Sequence, residues 1–269
     1  MKNVYRYEFK TNLKTVLIWL ICLMLISWVL IVFYQSAMLD IQEFNKFLSG
    51  YSEDILKAFQ FDFSSLFSFE NYFSGIILYI NLCLAIQASI LAFSIFTKEL
   101  KLKLSDYLYS KPLTRTSILS QKFMAGFSLL FLEFILLSAF NLAVANYLIP
   151  GIEIVKFSFV LLSMFFVIIV FYSFSFFLSC AIRKWRTPSV RGIEIVMVFF
   201  VFKIVNNIGS SNDFTDYIKY ISFFDYSDPR ALALNDFYSY ENLCFIIAIF
   251  VISLILGFMV FRKKNLQSS

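Results

Sequence analysis

The sequence contains no histidine among its 269 residues. This absence excludes catalytic triads with a histidine base and metal sites with imidazole ligands. Glycine is also scarce, with seven residues, and no two of them are five positions apart, as the phosphate-binding loop G-x-x-x-x-G-K-[ST] requires. The usual constellations of hydrolases and nucleotide-binding enzymes are therefore missing, and we expect no enzymatic activity in this chain.

Charged residues are few as well, at 15% of the chain, whereas 60% of the residues are hydrophobic. A soluble domain carries about 25% charged residues, and the mean hydropathy here is +0.77. Lipid is therefore the expected solvent for most of the chain. Since backbone polar groups must be satisfied internally in hydrocarbon, long apolar runs are predicted to be helices.

Six apolar runs have about the 20 residues that a helix needs to cross a bilayer. The third and fifth runs contain charged residues, and the other four contain none. The predicted fold is therefore an all-α integral membrane protein with six transmembrane helices in a single domain, 1–269. The spans are predicted at about 16–34, 72–96, 123–149, 157–182, 189–208 and 243–261.

Basic residues are distributed unevenly between the connections. Most of the 23 Lys and Arg residues lie in the N-terminal segment, in 98–122, in 183–191 and in the C-terminal tail. A Lys/Arg excess marks the cytoplasmic side, so both termini are predicted to be cytoplasmic, and 35–71 and 209–242 are predicted to be external, at the outer interface. Residues 1–15 form either an interfacial helix or a solvated basic tail. The net charge of +5 is thus a topology signal, and no nucleic-acid partner is expected.

Three charged residues inside the predicted spans are candidates for function, because intramembrane charges are costly. Glu133 in the third span and Lys203 in the fifth lie at similar depth, so we expect an ion pair between them. Glu194 lies nearer the cytoplasmic end and one turn from Arg191, which predicts a local pair. These charges either hold the bundle together or line a translocation path, and the pattern leaves both interpretations open.

The segment 98–117 combines positive charge with an apolar face. On a helix, one face carries Leu100, Leu104, Tyr107 and Leu108, and Pro112 ends the helix. This pattern predicts a short amphipathic helix and loop on the cytoplasmic side. Periodicity alone does not distinguish a helix that lies on anionic lipid from one that docks on a protein.

The order of motifs in this segment resembles a known family. Glu99, a leucine-rich helix, "SKPLTR" and Lys122 follow one another as in the first cytoplasmic loop of type-2 ATP-binding-cassette (ABC) exporter permeases. The stretch "SEDILKAFQF" followed by "FENYFSG" resembles the first external segment of that family. "YISFFDY" resembles the segment before its last span, and "FRKKNL" resembles its basic tail, so the resemblance covers nearly the whole chain.

The resemblance implies that the helix docks in a groove of a separate ABC ATPase subunit. It also implies a second permease subunit, identical or paralogous, with the substrate path between the two, and it assigns ATP and Mg to the ATPase rather than to a cofactor site in this chain. The coupling residues that it implies are Glu99, Leu100, Leu104, Tyr107, Leu108, Pro112 and Arg115.

The function expected from the sequence is that of a permease subunit that exports a peptide, antibiotic, lipid or similar amphiphile across the cell membrane. Two other classes stay open: a non-transporting membrane sensor or peptide-immunity protein, and a proton-coupled secondary carrier that uses Glu133. Carriers usually show internal repeats or broken helices, and the sequence shows neither.

The distribution of basic residues predicts the topology directly. A cysteine introduced at Asp54 should react with a membrane-impermeant thiol reagent in intact cells, because 35–71 is predicted to be external. A cysteine at Lys111 should react only after the cells are permeabilised. Labelling of Lys111→Cys alone in intact cells would reverse the orientation.

Overall fold

The computed structural model describes residues 2–39, 46, 50–52, 56, 68–102, 115–182, 187–208, 221–230 and 239–263. No β-strand occurs in these ranges, and the predicted all-α fold is confirmed for them. The helices are α1 (Lys2–Leu39), α2 (Phe69–Leu102), α3 (Arg115–Leu148), α4 (Ile154–Ala181), α5 (Pro188–Ile208), the short α6 (Phe223–Tyr226) and α7 (Tyr240–Lys263).

Within the described ranges, five helices are long and apolar enough to cross a membrane, namely α1, α2, α3, α4 and α7. The fifth predicted span, 189–208, is the helix α5, whose 21 residues correspond to about 31 Å. That length suits a bilayer, but α5 carries Arg191, Glu194 and Lys203. Five spans are therefore supported by length and composition, and the sixth span and the orientation stay predictions.

The helix α3 begins at Arg115, eight residues before the predicted span 123–149, and two other predicted boundaries differ from the helices as well. The helix α1 runs without a break from Lys2, so the segment 1–15, as far as it is described, continues the first spanning helix. The helix α2 extends through Leu102, so residues 98–102 continue the second spanning helix. Both continuations follow from polar residues with good helix propensity next to an apolar run, since nothing in these sequences breaks a helix.

The bundle is organised around α2 and α4, which pack closely against each other. The helices α1 and α3 pair on one side, α5 packs on α2, and α7 packs on α4. Aromatic side chains fill much of the contact between α2 and α4; Phe73 and Phe157, both fully buried, meet edge to face with ring centroids 5.0 Å apart. Such pairs add to the stabilisation from burial.

Glycine allows close approaches between helices of the bundle, among them those at Gly126 and Gly192. A Cβ at Gly126 in α3 would lie 2.2 Å from the hydroxyl oxygen of Tyr172 in α4, and that hydroxyl donates to the Phe123 carbonyl at 2.9 Å. A Cβ at Gly192 in α5 would lie 2.9 Å from the backbone nitrogen of Ile90 in α2. Small residues at such contacts let spanning helices pack backbone to backbone.

Part of the segment predicted to lie at the outer interface packs against the helices of the bundle. In 221–230, the residues Phe224, Asp225 and Tyr226 are buried, and α6 contacts α4, α5 and α7. The location of 209–242 at the outer interface stays a prediction. Aromatic side chains suit the headgroup region, and here they also pack against other aromatics, since Phe223 stacks on Phe199 with centroids 4.0 Å apart.

Candidate functional site: buried polar contacts between the helices

The most highly charged contact in the described interior surrounds Lys203. Its Nζ donates to Asp225 Oδ1 at 2.6 Å and to Asp228 Oδ2 at 2.5 Å. Asn206, one turn further along α5, donates from Nδ2 to Asp225 Oδ1 at 3.2 Å. Only 2% of the Lys203 side chain is exposed, so its charge is compensated within the protein rather than by water.

The chain reaches this geometry by folding back after α5. Lys203 lies near the end of α5, and Asp225 lies in α6, which returns against α5 and places its carboxylate beside the ammonium. Asp228 follows α6, and its Oδ1 accepts a hydrogen bond of 2.9 Å from the backbone nitrogen of Arg230. The two carboxylates are thus held by backbone and side-chain donors together.

The two aspartates differ electrostatically although they share one lysine. Burial alone would raise the pKa of Asp228, but the adjacent Lys203 ammonium and the Arg230 donor hold that pKa below its ordinary value. At Asp225 burial has the larger effect and, with the neighbouring Asp228 charge, raises its pKa even though Lys203 acts in the opposite direction. Asp228 therefore stays anionic more readily than Asp225 beside the lysine.

The predicted ion pair between Glu133 and Lys203 is absent, and that prediction was wrong. Glu133 is fully buried and instead accepts a hydrogen bond at Oε2 from Gln87 Nε2 at 2.6 Å. Similar depth in two spans does not bring two residues together, because helix packing decides which spans adjoin. Here α5 packs on α2, whereas α3 packs chiefly on α1 and α4.

The local pair predicted for Glu194 is confirmed. Arg191 Nη1 lies 2.5 Å from Glu194 Oε2, and both side chains are half exposed. The spacing of three residues on one helix places the two groups side by side. An exposed pair of this kind contributes roughly 0–1 kcal/mol, so it is a minor feature of α5 rather than a site.

A third buried contact joins three helices at the ends that flank the segment 103–114. Lys122 in α3 donates from Nζ to the carbonyl of Ile95 in α2 at 2.9 Å, and the same Nζ lies 3.6 Å from Glu8 Oε1 in α1. Both side chains are less than 5% exposed. We call Glu8, Lys122 and Ile95 the three-helix clamp.

Three of the seven residues predicted to couple to an ATPase lie in the described ranges. The backbone of Glu99 and Leu100 belongs to the last turns of α2, and Arg115 is the first residue of α3. The remaining four, Leu104, Tyr107, Leu108 and Pro112, lie outside the described residues. Their role stays a prediction, and two clamp residues, Ile95 and Lys122, lie on the helices α2 and α3 that flank them.

Sequence reasoning missed the true partners of the intramembrane charges. Gln87 is one of two amides, with Asn81, in the otherwise largely apolar span 72–96, and Glu8 is the single acid in the basic segment 1–15. A polar residue that differs from its surroundings in this way indicates a buried polar contact. Asp225 and Asp228 lie within the aspartate-rich segment that was assigned to the outside, so their pattern gave no sign of burial. No group of three or more His, Cys, Asp or Glu side chains that could hold a metal ion occurs in the described ranges.

Long apolar helices around a few compensated polar contacts define a multi-pass α-helical membrane protein. Within that class, the chain belongs to the ABC-2 family of transporters, because the family model described as "ABC-2 family transporter protein" matches residues 2–266. No curated protein sequence matches the chain. The family match confirms the resemblance seen around 98–122.

The Lys203 contact generates a stability prediction. Lys203→Met should lower the free energy of unfolding by about 3–5 kcal/mol, because it leaves buried carboxylates without their cation. The triple variant Lys203→Met, Asp225→Asn, Asp228→Asn should recover part of the loss. Thermal unfolding of the detergent-solubilised protein measures both effects.

The matched control is Lys156→Met. Lys156 pairs with Glu153 at 3.0 Å, but these side chains are 35% and 61% exposed, so its loss should change stability by only about 0–1 kcal/mol. Equal stability of Lys203→Met and Lys156→Met would show that the buried carboxylates do not need the ammonium.

Proposed function

We propose that this chain is the permease subunit of an ABC exporter. It moves a peptide, antibiotic, lipid or similar amphiphile out across the cell membrane, and a separate ATPase subunit binds ATP and Mg and hydrolyses the nucleotide. The observation that carries the proposal is the family match over residues 2–266. The absence of a phosphate-binding loop in the 269-residue sequence fits a division of labour between two kinds of subunit.

The three-helix clamp supports the coupling part of the proposal. The segment 103–114 connects α2 to α3, and Lys122 binds the Ile95 carbonyl, so the helices on either side of the segment are tied together near their ends. The ion pair with Glu8 extends the connection to α1. A push on the segment would therefore move three helices as one body instead of bending one connection.

The outer faces of the bundle support an assembly of two permease subunits in lipid. The helices α1 and α7 expose apolar side chains along their length, for example Ile21 and Leu25 in α1 and Ile252 and Ile255 in α7. Such faces suit lipid chains, and they also suit a second helical subunit. The second subunit, identical or paralogous, would complete the path for the substrate.

Purification from native membranes tests the proposal as a whole. We expect an ATPase with a G-x-x-x-x-G-K-[ST] loop to co-purify, and we expect the reconstituted complex to hydrolyse ATP faster when its substrate is present. A protonophore should leave the ATP-driven transport intact, whereas it would abolish transport by a proton-coupled carrier. Isolation of the chain without any ATPase, together with binding of a peptide, would favour the sensor or immunity alternative.

The coupling role predicts the effect of charge on the apolar face of 98–117. Leu104→Asp and Leu108→Asp should each weaken ATPase binding in a pull-down and reduce substrate-stimulated hydrolysis, because buried apolar anchors supply most interface energy. The loss should be at least about tenfold in affinity, which corresponds to roughly 1.4 kcal/mol. The amount of protein in the membrane should not change, because both positions lie outside the spans.

The control for this experiment is Lys101→Gln, which removes a charge without placing one on the apolar face. It should change binding much less, because Lys101 is predicted to lie off the apolar face, and a solvated charge contributes about 0–1 kcal/mol. If both Leu→Asp variants bind and stimulate the ATPase like the wild type, the segment is only an anchor on the lipid surface, and the proposed coupling helix is wrong.

A further inference from the structure

Glu133 is the only charged residue in the central part of α3, and its carboxyl group is fully buried. The helices packed on α3 are α1, α2, α4 and α7. Their central stretches, 15–36, 71–96, 157–181 and 242–261, contain no Asp, Glu, Lys or Arg. The titratable side chains in those stretches are tyrosines and cysteines, which are neutral at physiological pH. No cation from a neighbouring helix therefore faces Glu133 in the described bundle.

The charged groups closest to Glu133 along the bundle are already compensated. Lys122 lies eleven residues earlier on α3, which corresponds to roughly 16 Å, and it binds Glu8 and the Ile95 carbonyl. Lys203 is bound by Asp225 and Asp228. Neither lysine neutralises Glu133, and an unpaired buried carboxylate is strongly unfavourable in an apolar interior.

The hydrogen bonds around Glu133 also favour a neutral carboxyl group. One bond is present, from Gln87 Nε2 to Glu133 Oε2 at 2.6 Å. Two oxygens of the same pair, Glu133 Oε1 and Gln87 Oε1, are buried and lack a hydrogen-bond partner. When the carboxyl group is ionised, both oxygens can only accept hydrogen bonds, so no hydrogen bond can form between them. One added O–H group would supply the donor that joins them. A protonated carboxyl group has one O–H donor, which is the number needed.

We propose that Glu133 is a proton-binding site that is occupied at neutral pH. Its carboxylate binds one proton from water and becomes a neutral acid, and no electron transfer or other reactant is involved. The acid O–H donates to Gln87 Oε1 while Gln87 Nε2 donates to Glu133 Oε2, so the two side chains form a closed acid–amide pair between α2 and α3. One proton thereby removes the buried charge and satisfies both unpaired oxygens.

This inference concerns the chemistry of the bundle interior and does not rest on the exporter proposal. A neutral acid–amide pair holds α2 against α3 with two hydrogen bonds and needs no counter-ion. An alternative occupant, a metal cation bound to an ionised Glu133, would also neutralise the charge. The two differ in the state of the carboxyl group, which vibrational spectroscopy reads directly.

Infrared difference spectroscopy on the full-length protein in lipid at neutral pH tests the proposal. The wild-type spectrum should contain the carbonyl band of a hydrogen-bonded carboxylic acid, and Glu133→Gln should lack that band. Glu194→Gln is the matched control, because Glu194 is half exposed and bound to Arg191, so this variant should keep the band. In Gln87→Leu the band should persist at higher wavenumber, since the acid loses its amide partner.

Several results would overturn the proposal. A Glu133→Gln spectrum that loses only carboxylate bands would show that Glu133 is ionised, with a cation as its partner. Loss of the folded protein in Glu133→Gln would count equally against it, because glutamine has the shape and the neutrality of the protonated acid. An unchanged acid band in Gln87→Leu would remove the acid–amide pair.

Discussion

Lys203 places an ammonium group in the interior of the bundle with 2% of its side chain exposed. A charge in that position is tolerated only with partners close by, and Asp225 and Asp228 supply them at 2.6 and 2.5 Å. Those carboxylates come from a segment that must fold back into the bundle. The position of α6 depends on this contact, and with it the aromatic packing of Phe223 on Phe199.

Two further buried charges, Lys122 and Glu133, are compensated in other ways. Lys203 has two carboxylates, Lys122 has one carboxylate and a backbone carbonyl, and Glu133 has an amide and, in our proposal, a proton. Each solution joins two or three helices through a contact that apolar packing alone would not specify. Buried polar contacts of this kind fix which faces of the helices meet, because a rotated helix would leave a charge unpaired.

These contacts join different sets of helices. The three-helix clamp connects α1, α2 and α3, and α2 and α3 flank the segment proposed to receive motion from the ATPase. The Lys203 contact connects α5 to α6 and the residues that follow it, and Glu133 with Gln87 connects α3 to α2. A permease must let helices move relative to each other, and the sites where polar groups bridge helices are the places where such motion would break or exchange bonds.

The sequence by itself determined the helical class and the positions of the main spans, because an apolar run of about 20 residues must form a helix in lipid. The order of motifs around 98–122 indicated the family. It also predicted the local pair of Arg191 and Glu194, whose spacing on one helix suffices. Only the tertiary structure decided that Glu133 meets Gln87, that Lys203 meets two aspartates, and that Phe224, Asp225 and Tyr226 are buried. Those contacts join residues that are 22 to 46 positions apart, and which residues meet over such distances depends on the packing and rotation of whole helices, which periodicity along one helix does not contain.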